Sequence, residues 1–392
     1  MTFVHMLTDS YWPDRGGMEE SVARIAHLLT RSGDRTCTIY VRDTRPPAEG
    51  ATDPGGGTVV YLWNAKAALA PPVLASVTTY PEERYRLDYL LFKNAVAEAV
   101  ARHASSRHVI VSFYLTTAGF LAQHVAAELG IPHVARATGS DLSADLHNPH
   151  RMAPVEFVLR RASHVVTLSR EQARWLEFAG VGAERVTMIH NSLPDDSPAE
   201  RWRFRPEGDV HIVSDSGYRF QKGTHLLFAA FRGAVRDGVR ATLTVVGPAE
   251  SRARAYWERE RASLSEELGD RVRLLDWMDK PKVHDLLLVS HLYCAPTLGE
   301  GCSLARLAAL ALGMPIVSTA CGELPDLAAD MDHVRLVPPG SIVRLAAVLE
   351  QTVRDLPRMA SQIDGHRLNA LSEHLSPSRE LAQWDALLGE FE

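Results

Sequence analysis

Short apolar runs rich in β-branched residues alternate with amphipathic helical patterns along almost the whole chain. The segment 18–31 is one such helical pattern. Its Val22, Ile25 and Leu29 recur at a spacing that puts them on one face of a helix. Regular alternation of strand and helix is typical of parallel sheets whose strands are joined by crossover helices. The pattern therefore predicts an α/β fold.

The alternation stops at a polar, proline-bearing stretch, 195–208, and then starts again. A chain of 392 residues also exceeds what one hydrophobic core usually organises. We therefore predict two doubly wound, Rossmann-like domains, 1–194 and 205–375, facing across a cleft. A cleft between domains is a favoured ligand site. The tail, 376–392, has a helical pattern.

The individual elements follow from the same periodicities. The predicted strands are 3–7, 36–41, 109–113, 133–137, 164–168 and 186–189 in the first half, and 210–214, 242–246, 272–275, 292–295, 316–318 and 334–337 in the second. The predicted helices are 18–31, 87–102, 117–129, 170–179, 224–236, 254–267, 281–289 and 303–312.

The composition is that of an ordinary globular protein, with 46% hydrophobic and 23% charged residues. A net charge of -6 gives no indication of a nucleic-acid partner. Cys37, Cys294, Cys302 and Cys321 lack metal-type spacing and indicate thiols of a reducing compartment. No apolar stretch approaches the ~18 residues of a membrane span, and the opening residues 1–7 fit a strand better than a signal peptide. We therefore expect a cytoplasmic protein without a transmembrane segment, and homo-oligomer formation stays open.

One carboxylate follows a predicted strand at a position where open α/β sheets bind ligands. The strand 292–295 runs into a Pro/Gly turn that carries Glu300, and a helix begins near Ser303 and ends at Gly313. Ligands of such sheets bind beyond the carboxyl ends of the strands. The segment resembles the donor-site signature of the retaining glycosyltransferases of family four (group 1), which have the GT-B fold. That signature pairs a first Glu with a second Glu eight positions later, and here the eighth position is Ala308.

The resemblance extends from a Gly16-Gly17 pair to the last helix. It implies two facing Rossmann-like domains, with the C-terminal helix, about 376–392, packing back on the first. It also implies transfer of a sugar, with retention of configuration, from a nucleotide-diphosphate donor to a small-molecule acceptor such as a specialised metabolite, a thiol or a cyclitol. Neither a metal nor a cofactor is expected beside the donor, because helix amides and cations stabilise the leaving diphosphate in such enzymes.

The loop after the strand 210–214 carries the cations that the resemblance assigns to the diphosphate. The family has Arg, four residues and then Lys-Gly, and Lys222 matches the lysine. Gly217 occupies the arginine position, and Arg219 is near enough in sequence to replace it. One cation ~4 Å from a phosphate charge contributes ~4 kcal/mol at an effective dielectric of ~20, so we expect Lys222 and Arg219 to be catalytic. Tyr218 is expected to contact the donor. The alternative for the two cations is that Lys222 and Arg219 are solvated side chains of a polar loop.

Gly16 and Gly17 lie between the first predicted strand and the first predicted helix. A glycine pair lets backbone N–H groups approach a phosphate at a helix N-terminus. In the resembling family this pair contacts the donor diphosphate. The alternative is a turn that needs glycine for its dihedral angles.

Thr138 and Asp141 follow the predicted strand 133–137. The family has His-Gly-Ser/Thr-Asp here, with the His near the sugar, whereas this chain has Thr138-Gly139-Ser140-Asp141. A threonine hydroxyl can form a hydrogen bond but cannot act as a cation or a base near neutral pH. The resemblance places Thr138 and Asp141 at the reacting centre or the acceptor; the alternative is that Ser140 or Asp141 caps the next turn.

Two further segments resemble parts of the donor site. Trp277 and Met278 lie where relatives hold the base, so Trp277 is expected to stack on it; the alternative is a Trp packed in the core. Cys302, Ser303 and Leu304 open the helix after Glu300, and their backbone amides are expected near a phosphate or sugar oxygen. Glu300 itself is expected to contact hydroxyls of the donor sugar.

The turn 321–326 resembles the Gly-Gly-x-Pro-Glu turn that closes the donor site in the family. Arg306 precedes Ala308 by two residues and therefore lies on another face of the helix. It is a poor substitute for the missing second acid.

Three positions depart from the family pattern: Thr138, Gly217 and Ala308. At 308 a methyl group replaces the carboxylate that binds the ribose. A hydrogen bond to a charged group contributes ~1.5–3 kcal/mol, which is ~10–100-fold in affinity. Two alternatives therefore stay open. One is a non-catalytic homologue that binds a sugar nucleotide or a partner protein, and the other is a sugar-nucleotide 2-epimerase, which would need acid/base residues that the sequence does not identify.

Overall fold

The computed structural model describes residues 1–14, 16–31, 33–47, 57–67, 81–194, 201–205 and 208–391. The chain divides into two compact units. Unit 1 is Met1–Pro194 together with Ser376–Glu392, and unit 2 is Asp195–Leu375. Most of the predicted linker, 195–208, lies outside the described residues.

The described part of unit 1 contains a 7-stranded parallel sheet in the order β3-β2-β1-β4-β5-β6-β7. The strands are β1 (Thr2–Thr8), β2 (Arg35–Val41), β3 (Thr58–Tyr61), β4 (Arg107–Phe113), β5 (His133–Arg136), β6 (His164–Thr167) and β7 (Val186–Met188). The helices before the linker are α1 (Gly17–Thr30), α2 (Leu62–Ala67), α3 (Pro81–Arg102), α4 (Phe120–Leu129), α5 (Ser140–Ser143), α6 (Met152–Arg161) and α7 (Arg170–Phe178). A π-helical turn, Leu115–Gly119, precedes α4.

The strand β1 lies in the middle of this sheet. All 7 of its residues are buried, as expected of a parallel strand covered on both faces. Its Val4 and Met6 pack with Ile39 of β2 and Val111 of β4 in one core. Since β2 and β4 lie on opposite sides of β1, the chain connections reverse direction there. Such a switch point is where open α/β sheets bind ligands.

The described part of unit 2 contains a 6-stranded parallel sheet in the order β10-β9-β8-β11-β12-β13. The strands are β8 (Val210–Ser214), β9 (Ala241–Val246), β10 (Val272–Leu275), β11 (Leu292–Ala295), β12 (Ile316–Thr319) and β13 (Val334–Val337). The helices are α8 (Thr224–Arg236), α9 (Arg254–Leu268), α10 (Lys280–Val289), α11 (Leu304–Leu312), α12 (Leu324–Leu327), α13 (Ile342–Ser361) and α14 (Gly365–His374). The switch point of this sheet lies between β8 and β11.

The C-terminal helix, α15 (Pro377–Gly389), belongs to unit 1. Its Trp384 and Leu387 are buried in the same core as Ile25 of α1. Its Glu380 is 2% exposed and accepts a hydrogen bond from Arg24 Nε at 2.9 Å. Apolar packing and an ion pair between half-buried Arg24 and buried Glu380 therefore both join α15 to α1.

The two parallel, doubly wound sheets confirm the predicted α/β fold class. The strands of the second half begin and end within one residue of their predicted bounds. The sequence interpretation missed the strand β3 and the helices α2, α5, α6, α12, α13 and α14, of which α13 has 20 residues. Pro154 in the first turn of α6 and the preceding loop obscured the helical spacing of its buried residues Val155 and Val158.

Candidate active site

Lys222 and Glu300 meet at the carboxyl edge of the unit 2 sheet. Lys222 lies in the loop after β8, and Glu300 lies in the loop after β11, the neighbouring strand. Lys222 Nζ donates to Glu300 Oε2 at 2.5 Å, and the two side chains are 23% and 13% exposed. The structure thus brings two predicted site residues into contact at the switch point.

Gly223 sets the position of Lys222. It has a φ of +70°, and a Cβ at this position would lie 1.9 Å from the carbonyl oxygen of Pro296. The amide of Leu298 donates to the carbonyl of Gln221 at 2.7 Å. The Lys222 loop and the loop that carries Glu300 therefore pack backbone against backbone, which only glycine permits at 223.

The Glu300 carboxylate is held as an anion. Burial would raise its pKa, but Lys222, Arg306 and the backbone amide of Gly301 together hold the pKa below the ordinary value. An ionised carboxylate accepts hydrogen bonds and donates none. Glu300 is therefore suited to bind ligand hydroxyl groups.

The structure gives a physical reason for glycine at 217, the family's arginine position. Gly217 has a φ of +69°, and a Cβ there would lie 2.8 Å from the carbonyl oxygen of Pro248. A side chain at 217 would thus require this loop to move. Arg219, two residues later on the same loop, is exposed, so its guanidinium can move toward an anion at the edge of the sheet.

Tyr218 does not line the site, and its predicted contact with the donor is wrong. Its side chain is 0% exposed, and its hydroxyl donates to the carbonyls of Val245 and Leu275 at 3.1 and 3.0 Å. Its own amide and carbonyl bond to Pro248 and Glu250. The residue packs in the unit 2 core because the adjacent Gly217 turns the chain toward β9.

The start of α11 lies directly after Glu300. Ser303 is the N-cap, and its side chain accepts from the amide of Arg306 at 3.5 Å. Ser303, Leu304 and Ala308 are half-buried, whereas Cys302 is only 6% exposed. The burial of the Cys302 side chain is compatible with the prediction, which assigned a role only to its backbone amide.

Trp277 and Met278 lie in the loop after β10. Trp277 is 51% exposed, and Met278 is half-buried. The alternative of a Trp packed in the core is therefore wrong. An indole with this exposure keeps surface on which a planar group can stack.

Asp141 has a structural role in unit 1, which corrects its predicted place at the reacting centre. Its side chain is 0% exposed. Its carboxylate accepts from the amides of Thr138, Gly139 and Leu115 at 3.0, 2.8 and 3.2 Å. Burial raises its pKa, and these amides act against that rise. Asp141 therefore joins the loop after β5 to the turn after β4.

Thr138 is half-buried in that loop. Its hydroxyl lies 3.5 Å from Asp141 Oδ2. Tyr114, which sequence reasoning missed, lies nearby: its hydroxyl accepts from Ser140 Oγ at 3.2 Å. Tyr114 has a φ of +78°, unusual for a residue other than glycine. A tyrosine directly after the strand 109–113 was the available signal.

A second group that sequence reasoning missed lies after β1, at the switch point of unit 1. Arg42 is 3% exposed and donates to Asp88 Oδ2 at 2.8 Å. Arg42 and Thr117 both donate to Asp9. Asp9 directly follows β1, and that position was the available signal.

Gly16 and Gly17 precede and open α1. Gly16 has a φ of -173°, which is extended backbone open to any residue. A Cβ at Gly17 would have no atom within 4 Å. The alternative of glycine required by dihedral angles is therefore wrong. The backbone at Gly17 is open to the approach of a ligand.

Two absences apply to the described ranges of the chain. They contain no group of three or more His, Cys, Asp or Glu residues that could hold a metal ion. They also contain no helix long and apolar enough to cross a membrane.

Two family models match the chain. A glycosyl transferase 4-like domain matches residues 16–192, and a model described as glycosyl transferases group 1 matches residues 209–355. Between them they cover most of both units.

Curated relatives are distant. A phosphatidylinositol N-acetylglucosaminyltransferase subunit from Arabidopsis thaliana is 26% identical over 230 residues, covering 58% of this chain and 50% of that protein. The Homo sapiens protein of the same name is 23% identical over 324 residues, covering 82% of this chain and 63% of that protein. D-inositol 3-phosphate glycosyltransferase of Mycobacteroides abscessus is 25% identical over 345 residues, covering 83% and 74%. The chain thus spans about half to two thirds of the first two relatives.

Solved structures share the fold over the whole chain. Anabaena HepE in complex with UDP and glucose has a TM-score of 0.73 at 17% identity and covers 99% of each chain. Sucrose-phosphate synthase from Thermosynechococcus elongatus has a TM-score of 0.76 at 15% identity, covering 100% of this chain and 99% of that one. With both family models matched and the fold shared from end to end, this chain belongs to the group 1 (family four) glycosyltransferases of the GT-B fold.

Proposed function

We propose that the protein is a retaining glycosyltransferase that moves a sugar from a nucleotide-diphosphate donor to a small-molecule acceptor. The observation that carries the proposal is the contact between Lys222 and Glu300 at the switch point of unit 2. A cation for the leaving phosphate and an anion for sugar hydroxyls then lie side by side at the edge of one sheet.

The diphosphate would draw Lys222 away from Glu300. Arg219 would supply a second cation from the same loop, and the amide of Leu304 would face a phosphate oxygen. The bond between the anomeric carbon and the phosphate oxygen then breaks, and its electron pair leaves with the diphosphate. The acceptor oxygen forms the new bond from that same face and passes its proton to the leaving phosphate. No metal or cofactor enters this scheme.

The nucleoside would lie against Trp277 and Met278. Ala308 removes a carboxylate from the ribose side, so we expect nucleotide affinity to be modest. The acceptor would bind along the carboxyl edge of unit 1, where Thr138 and Tyr114 lie. Relatives named for inositol phosphate and phosphatidylinositol support a cyclitol-bearing acceptor. Four buried cysteine thiols support a cytoplasmic enzyme.

The test is a transfer assay with a panel of nucleotide sugars and hydroxyl or thiol acceptors. Replacing Lys222 by alanine should lower kcat/KM at least 100-fold, because the attraction between the ammonium group and the phosphate contributes ~4 kcal/mol. Replacing Glu300 by alanine should have an effect of similar size, because the hydroxyl groups of the sugar lose their charged acceptor. Lys282→Ala is the matched control, since that side chain is 73% exposed on α10. Transfer activity that survives Glu300→Ala unchanged would contradict the site assignment.

The second candidate is a homologue that binds a sugar nucleotide without turnover. The methyl group at Ala308 and the sterically required Gly217 favour it. Calorimetric binding of a nucleotide sugar with no transfer and no hydrolysis, for any acceptor, would support it. A 2-epimerase would instead convert the donor alone, which an assay without acceptor detects.

A further inference from the structure

A buried ion pair packs against the turn that carries Glu300. Arg306 donates from Nε and Nη2 to the two carboxylate oxygens of Glu323 at 3.0 and 2.5 Å. The side chains are 1% and 0% exposed. Arg306 Nη2 also donates to the carbonyl of Cys321 at 3.2 Å. A bidentate pair of this kind fixes both the distance and the plane of its partners.

Gly322 connects this pair to Glu300. It has a φ of +66°, and a Cβ there would lie 2.9 Å from Arg306 Nη2 and 3.0 Å from the carbonyl oxygen of Glu300. The carbonyl oxygen of Gly301 would be 3.1 Å away. The chain at Gly322 is therefore clamped between the guanidinium and the Glu300–Gly301 backbone. A side chain at 322 would therefore push the guanidinium and that backbone apart.

Stability alone does not account for a buried pair. Replacing such a pair by apolar side chains of similar volume is often neutral or stabilising, because two charges must be desolvated to form it. Removing one partner leaves a buried charge and is strongly destabilising. A test of function must therefore remove both charges together.

The charged and titratable groups that face Glu300 come from three elements. Lys222 reaches it from the loop after β8, Arg306 from α11, and Cys321 and Glu323 from the loop after β12. If a diphosphate takes up Lys222, Arg306 is the cation of this set that stays beside Glu300.

We propose that Arg306, held by Glu323, is the positioning residue of Glu300: it fixes the turn and keeps a positive charge beside the carboxylate when Lys222 engages the donor. This inference rests on the proposed function only for the statement that Lys222 engages the donor. The fixed turn and the charge are properties of unit 2 without a ligand.

The first experiment needs no ligand. In protein labelled with 13C at glutamate carboxyls, the Glu300 signal is assigned by its loss in Glu300→Gln. Its titration is then compared in the double variant Lys222→Met, Glu323→Gln and in the triple variant Lys222→Met, Arg306→Met, Glu323→Gln, which differ only in the charge of Arg306. We expect the triple variant to titrate at least one pH unit higher. Thermal unfolding of both variants establishes that they are folded, and equal titration of the two would overturn the proposal.

The second experiment measures the sugar contact by calorimetry with UDP and UDP-glucose. The double variant Arg306→Met, Glu323→Met should bind UDP with the Kd of the wild type. The ratio of its Kd for UDP to its Kd for UDP-glucose should be at least 10-fold smaller than in the wild type. The matched control is Arg335→Met, Asp355→Leu, which removes another ion pair of unit 2. If the ratio of the two Kd values is the same in the double variant and in the wild type, the proposal is wrong. If the wild type binds neither nucleotide, that choice of donor fails while the carboxyl titration still decides the positioning role.

Discussion

At the scale of single residues, Gly223 links backbone geometry to chemistry. Its left-handed φ and its approach to Pro296 leave no room for a side chain. We predict that Gly223→Ala costs about 3 kcal/mol, because dihedral strain and steric overlap add. It should also lower kcat/KM at least 100-fold, since Lys222 moves away from Glu300. Urea unfolding and the transfer assay measure the two effects.

Gly238→Ala is the matched control for this substitution. Gly238 has a φ of +87°, but a Cβ there would meet no atom within 4 Å. We expect it to cost about 1 kcal/mol from dihedral strain alone and to leave activity unchanged. Equal effects of the two substitutions would contradict the role of the close approach at Pro296.

Trp277 allows binding and stability to be separated. Because the side chain is 51% exposed, Trp277→Ala should change the free energy of unfolding by less than about 1 kcal/mol. Loss of a stacked base costs about 1–3 kcal/mol, so the Kd for UDP should rise about 5–150-fold. Phe178→Ala, at 87% exposure in unit 1, should leave the Kd unchanged. A nucleotide Kd unaffected by Trp277→Ala would remove this residue from the site.

At the scale of secondary-structure elements, one carboxylate of α15 holds several parts of unit 1. Glu380 accepts from Arg24, and its Oε2 also accepts from the amide of Ser192 at 2.9 Å. Ser192 lies shortly before the chain leaves unit 1, and Glu380 lies shortly after it returns. The Glu380 carboxylate thus binds, within unit 1, the segment that leads out of the unit and the helix that follows the return of the chain.

We predict that Glu380→Ala destabilises unit 1 by about 3 kcal/mol, because the half-buried Arg24 guanidinium and the Ser192 amide lose the carboxylate that accepts from them. Arg379→Ala, an exposed charge at the neighbouring position of the same helix, is the control, and a change within about 0.5 kcal/mol is expected. Urea unfolding followed by tryptophan fluorescence measures both. A small loss in Glu380→Ala would show that apolar packing of α15 suffices.

The elements also mark how far sequence reasoning reaches. Strands such as β8 and β11 are predicted almost to the residue, because buried parallel strands read as short apolar runs between turns. The pairing of Lys222 with Glu300 follows from the family resemblance and the sheet order. The Arg306–Glu323 pair could not be predicted, since it joins residues 17 positions apart through side chains that are fully enclosed. The predicted donor contact of Tyr218 was wrong because the sequence does not show which way a loop side chain points. Neighbouring residues of one loop can face either the edge of the sheet or the core.

At the scale of the whole molecule, several buried histidines connect the fold to pH. Burial, with His108 as a second cause, lowers the pKa of His5 to about 3. Burial lowers the pKa of His133 to about 3 as well. His133 lies between Ser112 and Gln123, with hydrogen bonds of 2.8 and 2.9 Å. Both rings are therefore neutral in the folded chain at neutral pH.

In the unfolded chain these histidines bind a proton near pH 6.5. The unfolded state then holds more protons between pH 6.5 and about 3, so folding stability falls as pH falls through that window. Each ring contributes about 1.4 kcal/mol per pH unit, so unfolding at pH 5 should require about 4 kcal/mol less than at pH 7.5 from the two together. The part of this window between pH 6.5 and 5 lies above the range of Glu300 and Glu380, whose folded pKa values are lowered and whose contribution to stability is lost only as pH falls below about 4.5.

Urea unfolding at pH 7.5, 6.5 and 5 measures this dependence. His133→Gln should be less stable than the wild type at pH 7.5 and should lose about 2 kcal/mol less on going to pH 5, because one titrating ring is gone. His27→Gln, at an exposed position of α1, is the control and should follow the wild-type slope. If His133→Gln keeps the full wild-type slope, His133 is not neutral in the folded chain. The acid sensitivity would then have to come from other groups of the two cores.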